Sequence, residues 1–265
     1  MRKFIAAATL ALAALPAAAV TFGQPDGNAH PFVGTILFER PDGYFSCTGT
    51  LLSATVMLTA GHCTEEGGAT NLNTWVRFTP EASLQSGCST RKCLDKFLDD
   101  PKNGWVKATA YPHPEYDDYS QFPATFDVGV VVLARPVPMS TYGVLPSLGF
   151  LETIRKASVD NFTVVGYGMQ GLIKPFASDL WARYVGTVKL VELNSNSTGG
   201  QSAKFTNNPG SGGGTCFGDS GGPVFYAGTN VVVAVTSWGI TPCIGVDYQF
   251  RTDIETTQDF VDSFF

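Results

Sequence analysis

The sequence predicts an all-β protein, and three observations carry that prediction. From Pro31 onward, short apolar runs alternate with turn residues, which is typical of short strands joined by tight turns. Apolar residues at helical spacing are mostly absent before the C-terminus. The chain has 265 residues, of which 44% are hydrophobic and 15% charged, so it can bury one large core or two small ones. Short strands in such a chain favour a barrel or a sandwich.

The first 19 residues have the pattern of a secretion signal. Arg2 and Lys3 form a positive segment, an apolar run extends from Phe4 to Leu15, and small residues at Ala17–Ala19 form a cleavage site. The apolar run is shorter than the roughly 20 residues that a bilayer requires. We therefore expect a secreted, extracellular protein that keeps no membrane anchor once residues 1–19 are removed.

The predicted strands begin after the signal and continue almost to the end of the chain. Residues 79–104 are irregular, and we interpret them as an insertion at the surface, where insertions are tolerated. Residues 134–158 are rich in Pro, Gly and Ser and indicate a linker, after which strands resume near Asn161. The clearest strand signals are Phe32–Phe38, Phe45–Leu52, Thr55–Ala60, Trp75–Phe78 and Val231–Thr236.

A helix is predicted at the C-terminus. Thr252 and Glu255 have the spacing of a capping box, in which each side chain bonds the other residue's backbone N–H. Ile254, Val261 and Phe264 follow at helical spacing. We expect this helix to cover about residues 253–265 and to pack on the second group of strands.

The candidate nucleophile is Ser220, in the stretch Gly218-Asp219-Ser220-Gly221-Gly222-Pro223. Glycine permits backbone conformations and close approaches that other residues do not, so a substrate carbonyl could reach the backbone N–H groups beside this hydroxyl. The same residues match Gly-x-Ser-x-Gly of α/β-hydrolases, in which a histidine follows the serine in the chain. No histidine follows Ser220, which excludes that class.

A serine hydroxyl is a weak nucleophile until a nearby base takes its proton, and that base needs a third group to orient it. The chain holds only His30, His62 and His113, and His62 ends a strand-like apolar run in Thr-Ala-Gly-His-Cys. We expect His113, in a His-Pro turn, to be structural. The orienting carboxylate is best placed at Asp127, because an acid inside an apolar strand is costly to bury unless it is hydrogen-bonded.

Three motifs together resemble a known family. Thr-Ala-Gly-His-Cys at 59–63, Asp-Val-Gly-Val-Val at 127–131 and Gly-Asp-Ser-Gly-Gly-Pro at 218–223 stand in the order of the chymotrypsin-like (trypsin-like) serine endopeptidases. The resemblance implies two six-stranded antiparallel β-barrels with a C-terminal helix. The peptidase domain would cover residues 20–265, with the first barrel at about 31–135 and the second at about 158–250.

The resemblance also implies a mechanism. His62 would act as the base, Asp127 would orient it, and Ser220 would attack a peptide carbonyl. The backbone N–H groups of Gly218 and Ser220 would form the oxyanion hole. Neither a metal ion nor an organic cofactor is needed, and the partners would be protein or peptide substrates of a monomeric enzyme. A net charge of −6 gives no support to nucleic-acid binding.

The six cysteines are predicted to form disulfides, since a secreted protein enters an oxidising environment. The family resemblance pairs Cys47 with Cys63, beside the histidine, and Cys216 with Cys243, beside the nucleophile. Cys88 and Cys93 remain and suit a small local loop. The competing interpretation, a zinc site, is disfavoured because the chain has no Cys-x-x-Cys pair.

An activation pair is predicted between Val20 and Asp219. In the resembling family a freed N-terminal ammonium pairs with the aspartate just before the nucleophile, and signal cleavage after Ala19 would create such an end at Val20. Without that partner, Asp219 would be a buried, unpaired carboxylate. The alternative is that further residues are trimmed after export.

The family resemblance also indicates which residues would bind substrate. Ser237-Trp238-Gly239 resembles the edge along which a peptide pairs as an added strand, and Ser237 would also donate to Asp127. Six residues before Ser220, the resemblance places the base of the primary specificity pocket at Gly214. Trypsin-like members of the family have an aspartate there, so the glycine argues against a preference for Arg or Lys. Asp247 would restore that preference if it points inward, whereas an outward position, the commoner one for aspartate, predicts a neutral or apolar side chain.

A second class of function stays open. A catalytically silent binding module could be built on the same scaffold, although such proteins usually lose a member of the triad, and this chain keeps all three.

Overall fold

The computed structural model describes residues 20–82, 84, 86–154, 162–172 and 181–265. The predicted signal segment, residues 1–19, lies outside the described residues. The described elements are β1 Gln24–Pro25, β2 Val33–Arg40, β3 Gly43–Leu51, β4 Val56–Thr59, β5 Glu65–Glu66, β6 Ala69–Thr70, β7 Asn73–Arg77, α1 Arg91–Asp99, β8 Val106–Pro112, β9 Gly129–Leu133, α2 Phe150–Thr153, β10 Phe162–Gly166, β11 Tyr184–Val188, β12 Leu190–Glu192, β13 Ser202–Asn207, β14 Pro223–Tyr226, β15 Val232–Gly239, β16 Gly245–Arg251 and α3 Glu255–Asp262.

The first half of the chain forms a closed six-stranded antiparallel barrel. Its strands neighbour one another in the order β2-β3-β4-β9-β8-β7, and β7 returns to pair with β2. Apolar side chains such as Ile36, Met57 and Val130 are fully buried in it. Closure leaves no free strand edge. The ends of β4 and β9 are therefore held in place, and so are the segments that follow β4 and precede β9.

The second half is a curled antiparallel sheet of eight strands in the described residues, in the order β1-β11-β10-β14-β15-β16-β13-β12. The fold class is therefore confirmed, whereas this sheet has eight strands and two edges instead of closing with six. The short strand β1 adds one edge by pairing Gln24 with Val185, and β12 adds the other in a hairpin with β13. Strand β1 has only two residues and gave no strand signal in the sequence, whereas β12 lies within residues 181–193, where rough alternation indicates strands.

The insertion at 79–104 contains a helix that the sequence analysis missed. Helix α1 begins after Thr90, whose hydroxyl accepts from the Cys93 N–H, as an N-cap residue does. Its apolar residues Leu94 and Leu98 pack with Trp75 and Trp105 in a small separate core. Leu94, Phe97 and Leu98 have the i, i+3, i+4 spacing of an amphipathic helix, but the run is short and its other residues are mostly charged.

The C-terminal helix α3 is present, but its predicted cap is wrong. The N-cap position is Ile254, without a side-chain cap hydrogen bond, and the Thr252 hydroxyl donates instead to the carbonyl O of Val232. Thr252 is fully buried, and a buried hydroxyl must find a partner where the strands place one. Val261 anchors the helix in the core.

All three predicted disulfides are confirmed. Cys47 is bonded to Cys63, Cys88 to Cys93, and Cys216 to Cys243. A domain with three disulfides, following a stretch of about 19 residues, is consistent with secretion. Among the described helices, none combines the length and the apolar character needed to cross a bilayer.

Candidate active site

The candidate site lies where the barrel meets the second sheet. His62 follows β4 and Asp127 precedes β9 of the barrel, whereas Ser220 precedes β14 of the second sheet. The backbone N–H of Thr48, on β3, donates to the carbonyl O of Ser220 at 2.8 Å. The three sequence-predicted residues therefore stand on segments that meet at one junction.

His62 is held directly against Asp127. The His62 Nδ1 atom lies 3.0 Å from Oδ2 and 3.1 Å from Oδ1 of that carboxylate, and the His62 backbone N–H donates to Oδ1 at 2.9 Å. A Cβ on the preceding Gly61 would lie 2.9 Å from the Tyr116 ring and 3.2 Å from Asp127 Oδ1. The glycine therefore lets the carboxylate approach the histidine closely.

Asp127 is a fully buried carboxylate that stays ionised. Burial alone would raise its pKa, but the electrostatic attraction of the His62 ring in its protonated form and the hydrogen bonds from His62 and Ser237 outweigh burial and hold the pKa below its usual range. The predicted donation from the Ser237 hydroxyl to Asp127 Oδ2 is present. A third donor, the Tyr119 hydroxyl, lies 2.7 Å from Oδ2 and was not predicted.

The loop around Ser220 requires glycine on both sides. Gly218 has a φ of 95° and Gly221 a φ of 75°, which side chains disfavour. A Cβ on Gly221 would lie 2.0 Å from Thr59 Oγ1 and 2.7 Å from the backbone N of Ala60. Gly221 thus seats the nucleophile loop against the end of β4, next to the segment that carries His62.

The backbone N–H groups predicted as oxyanion donors are uncommitted. Among the described residues, the N–H groups of Gly218 and Ser220 donate to no protein acceptor. Nearby groups of the same loop are satisfied: Thr48 Oγ1 donates to the Gly218 carbonyl O at 2.9 Å, and the Asp219 N–H donates to the carbonyl O of Cys216. Two free backbone donors, one on the serine itself and one two residues earlier, are of the kind that can bind an oxyanion.

Asp219 belongs to the same loop and is fully buried. Its carboxylate accepts from the backbone N–H groups of Gly168 at 2.8 Å and Cys216 at 2.9 Å. Burial nevertheless raises its pKa to about 7, and the negative charge of Asp247 adds to that rise. A carboxylate in this state would be stabilised by a cation.

Val20 packs beside Gly186 of β11, next to the segment that leads into the nucleophile loop. It is fully buried, and its side chain packs where a Cβ on Gly186 would stand, 2.6 Å away. The next residue, Thr21, pairs with Gly214 through two backbone hydrogen bonds of 3.0 and 3.2 Å. The backbone at Val20 and Thr21 is therefore held against Gly214, which lies two residues before Cys216 in the chain.

A pocket opens beside Ser220, and Gly214, the predicted base of that pocket, is not among its lining residues. A Cβ at this position would lie 2.1 Å from the Asn207 side chain, so Asn207 leaves no room for a larger residue there. The pocket is lined by Thr215, Cys216, Phe217, Ser220, Thr236, Ser237, Trp238, Gly239, Ile240, Thr241, Cys243 and Asp247.

Asp247 is at the pocket wall, so the expectation of a surface aspartate is wrong. The residue is only 1% exposed, and its Oδ1 lies 2.7 Å from where a Cβ on Gly239 would stand. Oδ1 accepts from Asn207 Nδ2 at 2.8 Å, and Oδ2 accepts from the Thr215 N–H and hydroxyl at 2.7 and 2.8 Å. Burial outweighs these donors and raises the pKa of Asp247 to about 6.

The predicted substrate edge is the end of strand β15. Trp238 pairs with Tyr248 and Gly239 with Asp247 on β16. The Trp238 ring stacks on the Tyr248 ring with centroids 3.6 Å apart, and the half-exposed Phe122 packs edge-on against Trp238. Trp238 is therefore fixed in place next to Ser237, the residue that donates to Asp127.

The other two histidines lie outside this constellation. His113 stacks on Phe126 with ring centroids 5.2 Å apart and has its pKa lowered by burial, which fits the expected structural role. His30 pairs with Asp26, which also accepts from Arg183.

One cluster in the described part of the chain has three groups of metal-ligand type within reach of one another: Cys47, His62 and Cys63. Both sulfurs belong to one disulfide, so the cluster offers a single ligand and does not fit a metal ion.

The chain is similar to known proteins over most of its length. The family model described as Trypsin matches residues 20–261. Trypsin of Saccharopolyspora erythraea is 30% identical over 227 residues, covering 82% of this chain and 86% of the relative. Chymotrypsin-like elastase family member 1 of Felis catus is 26% identical, covering 82% of this chain and 77% of the relative.

Solved structures match in fold. HL collagenase aligns over 93% of this chain and 95% of its own, with a TM-score of 0.63 and 17% identity. A thermostable serine protease, AL20, from an extremophilic microorganism aligns over 89% of this chain and 97% of its own, with a TM-score of 0.59 and 17% identity.

Proposed function

Because the chain belongs to the trypsin family of serine proteases, we propose that it is a secreted endopeptidase that hydrolyses peptide bonds through an acyl-enzyme on Ser220. The observation that carries the proposal is the His62–Asp127 pair, whose carboxylate is fully buried, beside the loop that presents Ser220. Residues 1–19 would serve as the signal, and residues 20–265 would form the peptidase domain.

Proton transfer in this proposal runs through His62. Its Nδ1 faces the ionised Asp127 carboxylate, which favours the tautomer with the proton on Nδ1 and leaves Nε2 basic. Nε2 would take the proton of the Ser220 hydroxyl as it attacks the substrate carbonyl. The imidazolium that forms is stabilised by Asp127 and then protonates the leaving amine.

The developing oxyanion would be bound by the backbone N–H groups of Gly218 and Ser220. Their freedom from protein acceptors supports this role, and losing one such donor typically lowers the rate by about 10²–10³-fold. Water would then attack the acyl-enzyme, with His62 acting again as base. A peptide that adds to the edge at Gly239 as an extra strand would present its carbonyl here.

We propose that Asp247 selects a basic side chain before the cleaved bond. A carboxylate offers about four lone-pair sites, and three donors from Asn207 and Thr215 already occupy Asp247. The site that remains, on a buried acid at the pocket wall, suits an ammonium or guanidinium group. Asp247 would thus supply the negative charge that Gly214 lacks.

The proposed activation step is the pairing of a free Val20 ammonium with Asp219. The raised pKa of Asp219 and the docking of Thr21 on Gly214 support it. A cation on Asp219 would keep that residue ionised and hold the loop of Gly218 and Ser220 in place.

Hydrolysis of a protein substrate tests the proposal against the alternative of a silent binding module. The secreted protein is expected to cleave unfolded casein, and Ser220→Ala is expected to lower kcat by at least about 10⁴-fold. A folded wild-type protein that binds peptides without cleaving them would support the binding module instead.

A further inference from the structure

The Tyr119 hydroxyl occupies a position that the proposed mechanism has not used. It donates to Asp127 Oδ2 at 2.7 Å and lies 3.2 Å from His62 Nδ1. It also lies 3.5 Å from the Ser237 hydroxyl. One phenol thus touches the proposed orienting acid, the proposed base, and the other hydroxyl that serves the acid.

The loop that delivers this phenol is held in an unusual backbone conformation. Asp118 and Tyr119 have φ values of 56° and 63°, a region that residues with side chains adopt only when the surrounding structure enforces it. Asp117 accepts from Ser120 and Gln121, and these contacts fold the chain around Tyr119. The left-handed pair turns Tyr119 back toward Asp127, whereas its neighbours Asp118 and Ser120 are exposed.

We infer that Tyr119 is a positioning residue for the triad, which shares the negative charge of Asp127 with His62 and so sets the basicity of His62. The inference rests on the proposed peptidase function. Tyr119 need not contact substrate for this role, because it acts on His62 through the carboxylate that both residues bind.

The physical reason is competition for one carboxylate oxygen. Oδ2 accepts from the Tyr119 and Ser237 hydroxyls and also faces His62 Nδ1. Hydrogen bonds to a charged acceptor are about twice as strong as those between neutral groups. Each additional donor spreads the negative charge, so the carboxylate attracts a protonated imidazole less strongly. Tyr119 therefore keeps His62 neutral, and able to act as a base, to a lower pH than Ser237 alone would.

The other groups that surround His62 keep their contacts when only the Tyr119 hydroxyl is removed. The Arg40 guanidinium, from β2, donates to the His62 carbonyl O at 2.7 Å. The Tyr116 ring packs at Gly61, and its hydroxyl donates to Asp118. A shift in the titration of His62 after removal of the Tyr119 hydroxyl alone would therefore report on the bond to Asp127.

The variant Tyr119→Phe removes that hydroxyl and keeps the ring. We expect kcat to fall about 3–10-fold with KM within twofold of wild type. We also expect the acidic limb of the kcat/KM profile to move to higher pH by about half a unit, because the less-bonded carboxylate holds the imidazolium more tightly. Incorporating 3-fluorotyrosine at position 119, a stronger phenol donor, is expected to move the limb to lower pH.

The matched control is Tyr111→Phe. Tyr111 is exposed and its ring packs on Phe264, near the C-terminus, so both the rate and the profile should stay as in wild type. Circular dichroism and thermal melting of the three variants establish that each is folded.

The outcomes separate this inference from the proposed function. If wild type hydrolyses peptides and both changes at position 119 leave the acidic limb in place, the inference is wrong while the peptidase assignment stands. A lower kcat with an unmoved limb also contradicts it, since lost packing alone would have that effect. If wild type itself shows no Ser220-dependent hydrolysis, the proposed function fails first.

Discussion

Replacing Asp247 with asparagine tests the proposed selectivity most sharply, because the change keeps the size of the side chain and removes its charge. An ion pair at about 4 Å with an effective dielectric constant near 20 is worth about 4 kcal/mol before the substrate cation is desolvated. A hydrogen bond to a charged group retains about 1.5–3 kcal/mol of net free energy. With about 1.36 kcal/mol per tenfold change, kcat/KM for substrates with Arg or Lys before the cleaved bond should fall by about 10–150-fold.

The assay compares two peptides that differ only at that residue, one with arginine and one with leucine. Asp247→Asn should leave kcat/KM for the leucine peptide within about threefold, because no charge pairing is lost. In wild type the ratio of the two kcat/KM values should decline as the pH falls through about 6, the pKa of Asp247, since a protonated carboxyl cannot pair with a cation. Taking the ratio cancels the titration of His62. A wild-type preference for leucine at pH 8, or an arginine rate unaffected by the substitution, would refute the reasoning.

Three further predictions concern the nucleophile loop, the short disulfide and the N-terminus of the secreted protein. Gly221→Ala should lower kcat by about 10²-fold or more, because a Cβ there would lie 2.0 Å from Thr59 Oγ1 and displace the nucleophile loop; normal kinetics would contradict that close contact. Replacing Cys88 and Cys93 with serine should cost no more than about 2 kcal/mol of unfolding free energy in urea, because residues five apart close a short loop, and kcat/KM should stay within twofold. N-terminal sequencing of the secreted protein should begin at Val20, and any other first residue argues against activation by signal cleavage alone.

The sequence predicted the contact between His62 and Asp127, because both residues stand within a family's motifs. His62, Asp127 and Ser220 stand within such motifs, and the contact between His62 and Asp127 has the expected partners. The donation from Ser237 to Asp127 was expected on the same basis and is present. These positions could be predicted because each lies in or directly beside a strand, so the paired strands fix where its segment begins and ends.

Residues whose role depends on local backbone geometry could not be predicted. Tyr119 lies in a polar loop, and only the left-handed conformation of Asp118 and Tyr119 turns its hydroxyl toward Asp127. The inward position of Asp247 depends on a register of one residue in β16, since successive side chains of a strand face opposite sides. The pairing of Gly239 with Asp247 sets that register, and no pattern in the sequence specifies it.

Helix α1 was missed for a related reason. Leu94, Phe97 and Leu98 give a helical pattern over only nine residues, and their apolar partners Trp75 and Trp105 lie outside the helix in the chain. The cap predicted at Thr252 failed because a buried strand end supplied another acceptor for its hydroxyl. At Thr252 a contact distant in sequence thus outweighed the local signal.

Covalent labelling with a fluorophosphonate tests the central claim most directly, because this reagent reacts with a serine only when a neighbouring base has activated it. The account predicts one adduct per chain, located on Ser220 by tandem mass spectrometry, absent in Ser220→Ala and formed far more slowly in His62→Ala. An adduct on another residue, or labelling of Ser220 at the same rate without His62, would contradict it.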